Sequence, residues 1–199
     1  EGNRQSISNA YDGVSLTQVA EGGLAGINKD VNRIRELSVQ SGNGLLNDSD
    51  RRAIQSEVTQ LQENISQTID QTEFAGQSLL SSNSNIDFQV GANAGQKIGV
   101  ATQDFATSLN DILNVDLSTA QGAEDALVIA DEATEFVGSA RADLGASQNQ
   151  FESAARNLTQ TDVNISAARS RIQDTDFAQA ASENVTAGIL SQSSIAVQD

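Results

Sequence analysis

Residues 127–172 place apolar or small side chains at steps of three or four for about six heptads, and this repeat constrains the fold more than any other feature. Such spacing lines the repeated positions along one narrow stripe of an α-helix, as in a coiled-coil seam. The chain contains no proline, the residue that most strongly interrupts helices. A helix over 121–172 would span roughly 75–80 Å, which is too long for a sphere of this chain length. The repeat therefore predicts a mainly α-helical, elongated rod of long antiparallel, coiled-coil-like helices.

Two shorter helices are predicted ahead of the long one. Apolar residues recur at helical spacing up to Leu37, and the polar turn 41–44 then interrupts the pattern. A second helix is expected to begin near Asn47, where short polar side chains can cap it, and to fade over residues 72–76. We interpret residues 1–76 as an antiparallel helical hairpin. The predicted seam of the three helices consists of Leu24, Ile27, Val31, Ile34, Ile54, Val58, Leu61, Leu144, Phe151, Leu158 and Ile165.

The segment 77–120 has a different pattern and is predicted to be a short β-hairpin and connector. Residues 86–90 alternate apolar and polar side chains, a glycine-bearing loop follows, and 98–100 resume the alternation. Residues 121–199 are assigned to the long C-terminal helix. We expect a break in this helix near 174–176, where Asp174-Thr175-Asp176 resembles a stop followed by a restart.

The composition excludes most catalytic and ligand-binding classes. The chain has no cysteine and no histidine, which removes thiolate or histidine metal sites and Ser-His-Asp triads. Eleven basic residues against 27 acidic ones give a net charge of −16, which argues against binding nucleic acid. No apolar run reaches the length of a membrane span. We therefore expect no enzyme, no cofactor, no nucleic-acid partner and no membrane span.

The seam allows two interpretations, which the sequence leaves open. The N-terminal helices can fold back on the long helix and bury the seam within one chain. Many seam positions are Ala, Ser or Thr, however, so the burial per residue is modest and the margin of stability is thin. Chains of this kind also gain stability by packing side by side in an assembly.

The stretch from Arg33 to Gln40 is the strongest candidate for a contact surface. Arg33, Glu36, Leu37 and Gln40 recur at helical spacing on one face. One interpretation is a solvated ion-pair face with the leucine in the core. The other is a protein-contact epitope, because arginine beside an apolar residue is favoured at interfaces.

Several long segments of the sequence resemble bacterial flagellin. RIRELSVQ, at residues 33–40 within the similar stretch 9–40, is the most specific of them. QTIDQTEFAGQSLL at 67–80 resembles the end of the family's second helix, and IDFQVGANAGQKI at 86–98 resembles its short β-element. Residues 144–178 resemble the C-terminal core helix. These segments occur in the same order as in the family, and together they extend over nearly the whole chain.

The resemblance implies a rod-like core domain and a role as a structural subunit of the flagellar filament, extracellular and active in motility. It implies that the terminal tails that line the filament core and a large variable outer domain are absent from residues 1–199. The implied partners are other flagellin subunits, with an export chaperone and a filament cap for the full-length form. A Toll-like receptor is a further implied partner, and Arg33, Leu37 and Glu57 match the family's receptor-contact positions.

Two alternatives stay open at this point. One is a hook–filament junction protein, which shares the end helices but differs in mid-chain. The other is a flagellin-like cell-surface protein that binds polysaccharide or host glycan.

Overall fold

A computed structural model describes residues 1–197. Within residues 1–197, nine elements follow one another, and the chain divides into two compact units at 155/156. The predicted division into 1–76, 77–120 and 121–199 stays a prediction, and its residues 198 and 199 lie outside the described part. The elements are α1 (Gly2–Ser41), α2 (Asp48–Gln71), β1 (Glu73–Phe74), β2 (Gln77–Ser78), β3 (Ser81–Gln89), β4 (Lys97–Asp104), α3 (Phe105–Ser108), α4 (Asn110–Leu113) and α5 (Ala120–Ala196).

Helix α1 is one continuous 40-residue helix whose buried side chains recur every three or four residues. It passes through Gly22 and Gly23 without interruption. A Cβ atom on Gly23 would lie 2.8 Å from the Thr72 hydroxyl and 3.0 Å from Leu80 Cδ1. The absence of a side chain there lets α1 lie close to the segment that follows α2.

The turn between α1 and α2 is closed by side-chain hydrogen bonds. Asn47 accepts from the Asp50 N–H at 2.8 Å, and Asp50 accepts from the Asn47 N–H at 3.2 Å, which forms a capping box. The buried Arg51 side chain donates to the carbonyl of Ser41 at 3.0 Å and to that of Asn43 at 3.2 Å. The predicted helix start near Asn47 is confirmed.

The predicted β-hairpin is confirmed as the antiparallel pair β3 and β4, in which Phe88 lies opposite Ile98. Its strands are longer than the alternation alone indicated. A second, very small pair, β1 and β2, was not predicted. Its turn holds Ala75 at φ 50° and Gly76 at φ 79°, the two positive values that a tight hairpin turn of the I′ type requires.

The connector after β4 covers one end of the core with two short helices and an extended stretch. Its buried side chains are Leu109, Ile112, Val115 and Leu117. The Gln55 side chain of α2 accepts from the Leu117 N–H at 2.7 Å, and Gln62 donates to the carbonyls of Ile112 and Val115 at 3.1 Å. These bonds satisfy the main chain of a segment that has no strand partner.

Helix α5 continues from Ala120 to Ala196, so the predicted break near 174–176 is wrong. Asp174, Thr175 and Asp176 are exposed, so their polar side chains need no special accommodation. The Thr175 hydroxyl donates to the Arg171 carbonyl at 2.8 Å within the same helix. With neither proline nor glycine at these positions, a lower helix propensity alone does not end a helix.

Candidate protein-contact surfaces

The outer face of α1 and α2 carries an ion-pair cluster centred on Arg33. Its Nε donates to Glu57 Oε1 at 2.9 Å across the two helices, and its Nη1 donates to Glu36 Oε2 at 3.0 Å along α1. The hydrogen bond to Glu57, followed by the one to Glu36, raises the pKa of the Arg33 guanidinium. The side chains of Arg33 and Glu57 are 46% and 47% exposed, so the cluster lies on the surface and can be reached by a partner.

Leu37 lies one turn beyond Arg33 but points into the core. It is 2% exposed and belongs to the same apolar cluster as Ile34 and Val58. The structure therefore brings two of the three predicted receptor-contact residues, Arg33 and Glu57, together on the surface. The third, Leu37, packs in the apolar core beneath this surface.

The predicted seam residues fall into three groups. Seven are buried in the core of residues 1–155, two are partly buried against that core, and two lie beyond it in residues 156–196. Leu158 is partly buried there, whereas Ile165 is 55% exposed. The buried group is Leu24, Ile27, Val31, Ile34, Ile54, Val58 and Phe151, and the partly buried pair is Leu61 and Leu144.

The C-terminal segment, residues 156–196 of α5, exposes large apolar side chains along its length. Ile165, Ile172 and Leu190 follow one another at intervals of 7 and 18 residues, which are close to whole numbers of helical turns. They form a first line on the helix surface and are 55–65% exposed. Of these three, Ile165 belongs to the predicted seam, and Ile172 is the last position of the predicted three-four repeat.

A second line consists of Val163, Phe177 and Ile195, at intervals of 14 and 18 residues. Phe177 is 77% exposed. Val163 and Ile195 were missed in the sequence because they fall outside the three-four repeat. The sequence signal for this second line would have been the intervals between its members, which are close to whole numbers of helical turns.

The charge of the chain is distributed unevenly. Residues 1–155 carry eight basic and 22 acidic side chains, a net charge of −14, whereas 156–199 carry three and five, a net charge of −2. No group of three or more acidic side chains within residues 1–197 is arranged to hold a metal ion. No stretch of helix in the same residues combines the length and apolar character that a bilayer crossing requires.

Comparison with known proteins decides the family. Residues 1–85 match the profile of the bacterial flagellin N-terminal helical region, and residues 127–198 match that of the C-terminal helical region. Flagellin from Bacillus subtilis (strain 168) is 35% identical over 98% of this chain and 76% of its own length. The chain belongs to the bacterial flagellin family. The flagellar filament 30.7 kDa core protein of Treponema maltophilum is also 35% identical, over 98% of this chain and 74% of its own length.

Solved structures give the same fold. The crystal structure of Bacillus cereus flagellin superimposes with a TM-score of 0.70 and 26% identity, covering 81% of this chain and 94% of that one. A flagellar hook-associated protein from Vibrio parahaemolyticus also reaches 0.70, covering 84% and 89% of the two chains, but at 12% identity. Fold likeness alone therefore does not separate filament from junction proteins, whereas sequence identity favours the filament class.

The resemblance read from the sequence is thus confirmed, and with it a structural subunit of the flagellar filament outside the cell. Membership of a structural family fits the expectation that the chain is not an enzyme.

Proposed function

We propose that this filament subunit associates with neighbouring copies through the two apolar lines of the C-terminal segment. The observation that carries the proposal is the exposure of eight large apolar side chains within residues 156–196 of a single helix. An isolated helix is marginally stable in water, and most helices in proteins depend on packing an apolar face. A face of this length is therefore an interaction surface.

The spacing of the two lines indicates the kind of partner. Side chains that return to the same face after whole numbers of turns can interdigitate with a second helix along their entire length. A helix with two such lines can contact two neighbours at once. This is the geometry that an assembly of parallel or antiparallel helices needs, and identical copies of this segment supply it.

The charge distribution supports association through this segment. Copies that meet through residues 156–199 bring together segments of net charge −2, whereas the −14 of residues 1–155 favours keeping those parts apart. Close packing is therefore least opposed at the C-terminal segment. Added salt, which screens the remaining repulsion, is expected to strengthen association.

Sedimentation velocity over a range of protein concentrations tests this proposal. The wild-type chain is expected to sediment increasingly fast as concentration rises. Replacing Ile165, Ile172 and Leu190 together by Asn removes the first line and is expected to weaken that increase, while the far-UV circular dichroism of the chain stays helical. Equal association of the variant and the wild type would refute the proposal.

The control is Leu45→Asn, the same kind of replacement at a single side chain that is 93% exposed in the turn between α1 and α2. This variant is expected to associate as the wild type does. Loss of association in both variants would indicate a general effect of surface polarity and would also contradict the proposal.

We further propose that the Arg33–Glu57 pair forms a contact surface for a Toll-like receptor. Two observations support this proposal: the exposed ion pair that joins the two helices, and the match of both residues to receptor-contact positions of the flagellin family. A reporter-cell assay with Arg33→Ala and Glu57→Ala is expected to show weaker activation than with wild type. Arg52→Ala, an exposed arginine on α2, is the control. Unchanged activation by both test variants would contradict the proposal that this surface contacts the receptor. The export chaperone and the cap stay predictions.

A further inference from the structure

The turn between α1 and α2 contains Asn43 followed by Gly44, which is the single Asn-Gly pair among the 16 asparagines of the chain. Both residues are exposed, and the next residue, Leu45, is 93% exposed. We propose that Asn43 is a site of spontaneous deamidation, and that the hydrogen bonds of this turn, above all that from Arg51, promote the reaction.

The reaction uses only the chain and water. The main-chain nitrogen of Gly44 attacks Cγ of Asn43, the bond from Cγ to Nδ2 breaks, and ammonia leaves with the proton taken from Gly44. A five-membered succinimide results. Water then opens either of its two carbonyls, giving aspartate if it adds at Cγ or isoaspartate if it adds at the main-chain carbonyl carbon.

Arg51 contacts the peptide group that must act as the nucleophile. Its Nη2 donates to the Asn43 carbonyl oxygen at 3.2 Å, and the Leu46 N–H donates to the same oxygen at 3.1 Å. When the Gly44 N–H loses its proton, the negative charge is delocalised onto this oxygen. A fixed guanidinium on the oxygen stabilises the anion and so favours the attacking form.

The group under attack is also polarised. Asn43 Oδ1 accepts from the Leu45 N–H at 3.0 Å. This oxygen becomes negative in the tetrahedral intermediate, so a donor already in place lowers the barrier. The attacking N–H of Gly44 donates no hydrogen bond within residues 1–197, and the reaction therefore breaks none there.

The surroundings explain why glycine matters and which product is favoured. Glycine at 44 has no side chain to hinder closure of the ring. In the isoaspartate product, the oxygen that Arg51 contacts becomes part of a free carboxylate. The buried guanidinium, whose nearest acidic partner is the exposed Asp48 at 3.7 Å, then gains a charged partner. Isoaspartate is therefore expected to be held in place by Arg51.

Peptide mapping by mass spectrometry after incubation at mildly alkaline pH tests the site. Asn43 is expected to deamidate before every other asparagine, including the exposed Asn93, which precedes alanine in the hairpin loop. Gly44→Ala is expected to slow the reaction about tenfold or more. This change should not disturb the fold, because a Cβ on Gly44 meets no atom within 4 Å. Faster modification at another asparagine would overturn the assignment.

The proposed role of Arg51 as a positioning residue and a merely structural role predict opposite changes in the deamidation rate. If it promotes the reaction, Arg51→Gln slows deamidation about tenfold, and Arg51→Lys restores part of the rate. If it merely tethers the turn, its loss loosens the main chain and speeds the reaction. A faster Arg51→Gln variant therefore overturns this part of the proposal.

A measurement on the wild type covers the case in which Arg51→Gln does not fold. Urea unfolding removes the contacts from Arg51, Leu45 and Leu46 at once. The folded chain is expected to deamidate at Asn43 faster than the unfolded chain at equal pH. A faster unfolded chain would contradict the assistance by the turn.

Discussion

The ring of Phe151 lies directly against the backbone of Gly13, at a point where α1 and α5 leave no room for a side chain between them. Both residues are buried. Phe151 also contacts Phe88 of the β-hairpin edge-to-face, with ring centroids 5.1 Å apart. One aromatic side chain therefore joins the first helix, the last helix and the hairpin.

Gly13→Ala is expected to lower the free energy of unfolding by about 1–3 kcal/mol, because the new methyl group overlaps the Phe151 ring and displaces it. Urea denaturation followed by circular dichroism measures the change. The matched control is Gly22→Ala in the same helix, where a Cβ meets no atom within 4 Å. The control is expected to gain about 0.5–1 kcal/mol from helix propensity. Equal effects of the two changes would contradict the close contact.

Gln55 is expected to matter for stability although it lies on the polar side of α2. Its Oε1 is the acceptor for the main-chain N–H of the fully buried Leu117, at 2.7 Å. Gln55→Ala leaves that N–H without its partner and is expected to cost about 1–3 kcal/mol in the free energy of unfolding. Chemical denaturation measures it, and the exposed Gln60→Ala is the control that should change little.

Substitutions at Leu37 and Arg33 are expected to differ in their effect on stability, because Leu37 is buried in the core and Arg33 lies on the exposed contact surface. Leu37→Ala empties a buried site and should cost about 2–5 kcal/mol in the free energy of unfolding. Arg33→Ala removes an exposed ion pair, and such pairs contribute little, so its melting temperature should stay near that of the wild type. Thermal melts of both variants check this. A large loss of stability for Arg33→Ala would show that the surface cluster is structural.

Much of the fold was predictable because local patterns and tertiary packing agree. In α1, the three-four repeat through Leu24, Ile27, Val31 and Ile34 coincides with the buried side of the helix. At the start of α2, the capping of Asn47 is a short-range interaction that its own neighbours determine. The hairpin loop likewise follows from glycines beside two alternating strands.

The features that sequence could not supply depend on long-range contacts or on competition between weak effects. Nothing local connects Gln55 to Leu117, which is 62 residues away. The Asp174–Asp176 stretch contains residues of low helix propensity, yet the surrounding helix prevails over a cost of a few tenths of a kcal/mol each. The burial of Leu37 agrees with one of the two interpretations of its spacing, the one with the leucine in the core, and the packing of α2 against α1 decides between them.

Ser118→Ala is expected to lower stability in a pH-dependent way. The Ser118 hydroxyl donates to Asp116 Oδ1, and together with the Ser118 N–H at 2.9 Å it lowers the pKa of Asp116 below 3.8. A carboxylate with a depressed pKa in the folded chain stabilises it above the unfolded pKa, and this contribution disappears as the pH falls through the folded pKa.

The wild type is therefore expected to be more stable than Ser118→Ala at about pH 7, and the difference should shrink towards zero well below about pH 3.8. Because Asp116 is largely exposed, the effect is small, and melting temperatures measured side by side at the two pH values are the suitable comparison. Ser139→Ala, at an exposed position of α5, should give a difference that does not vary with pH. A pH-independent difference for Ser118→Ala as well would mean that the hydroxyl acts on the turn and not on the ionisation of Asp116.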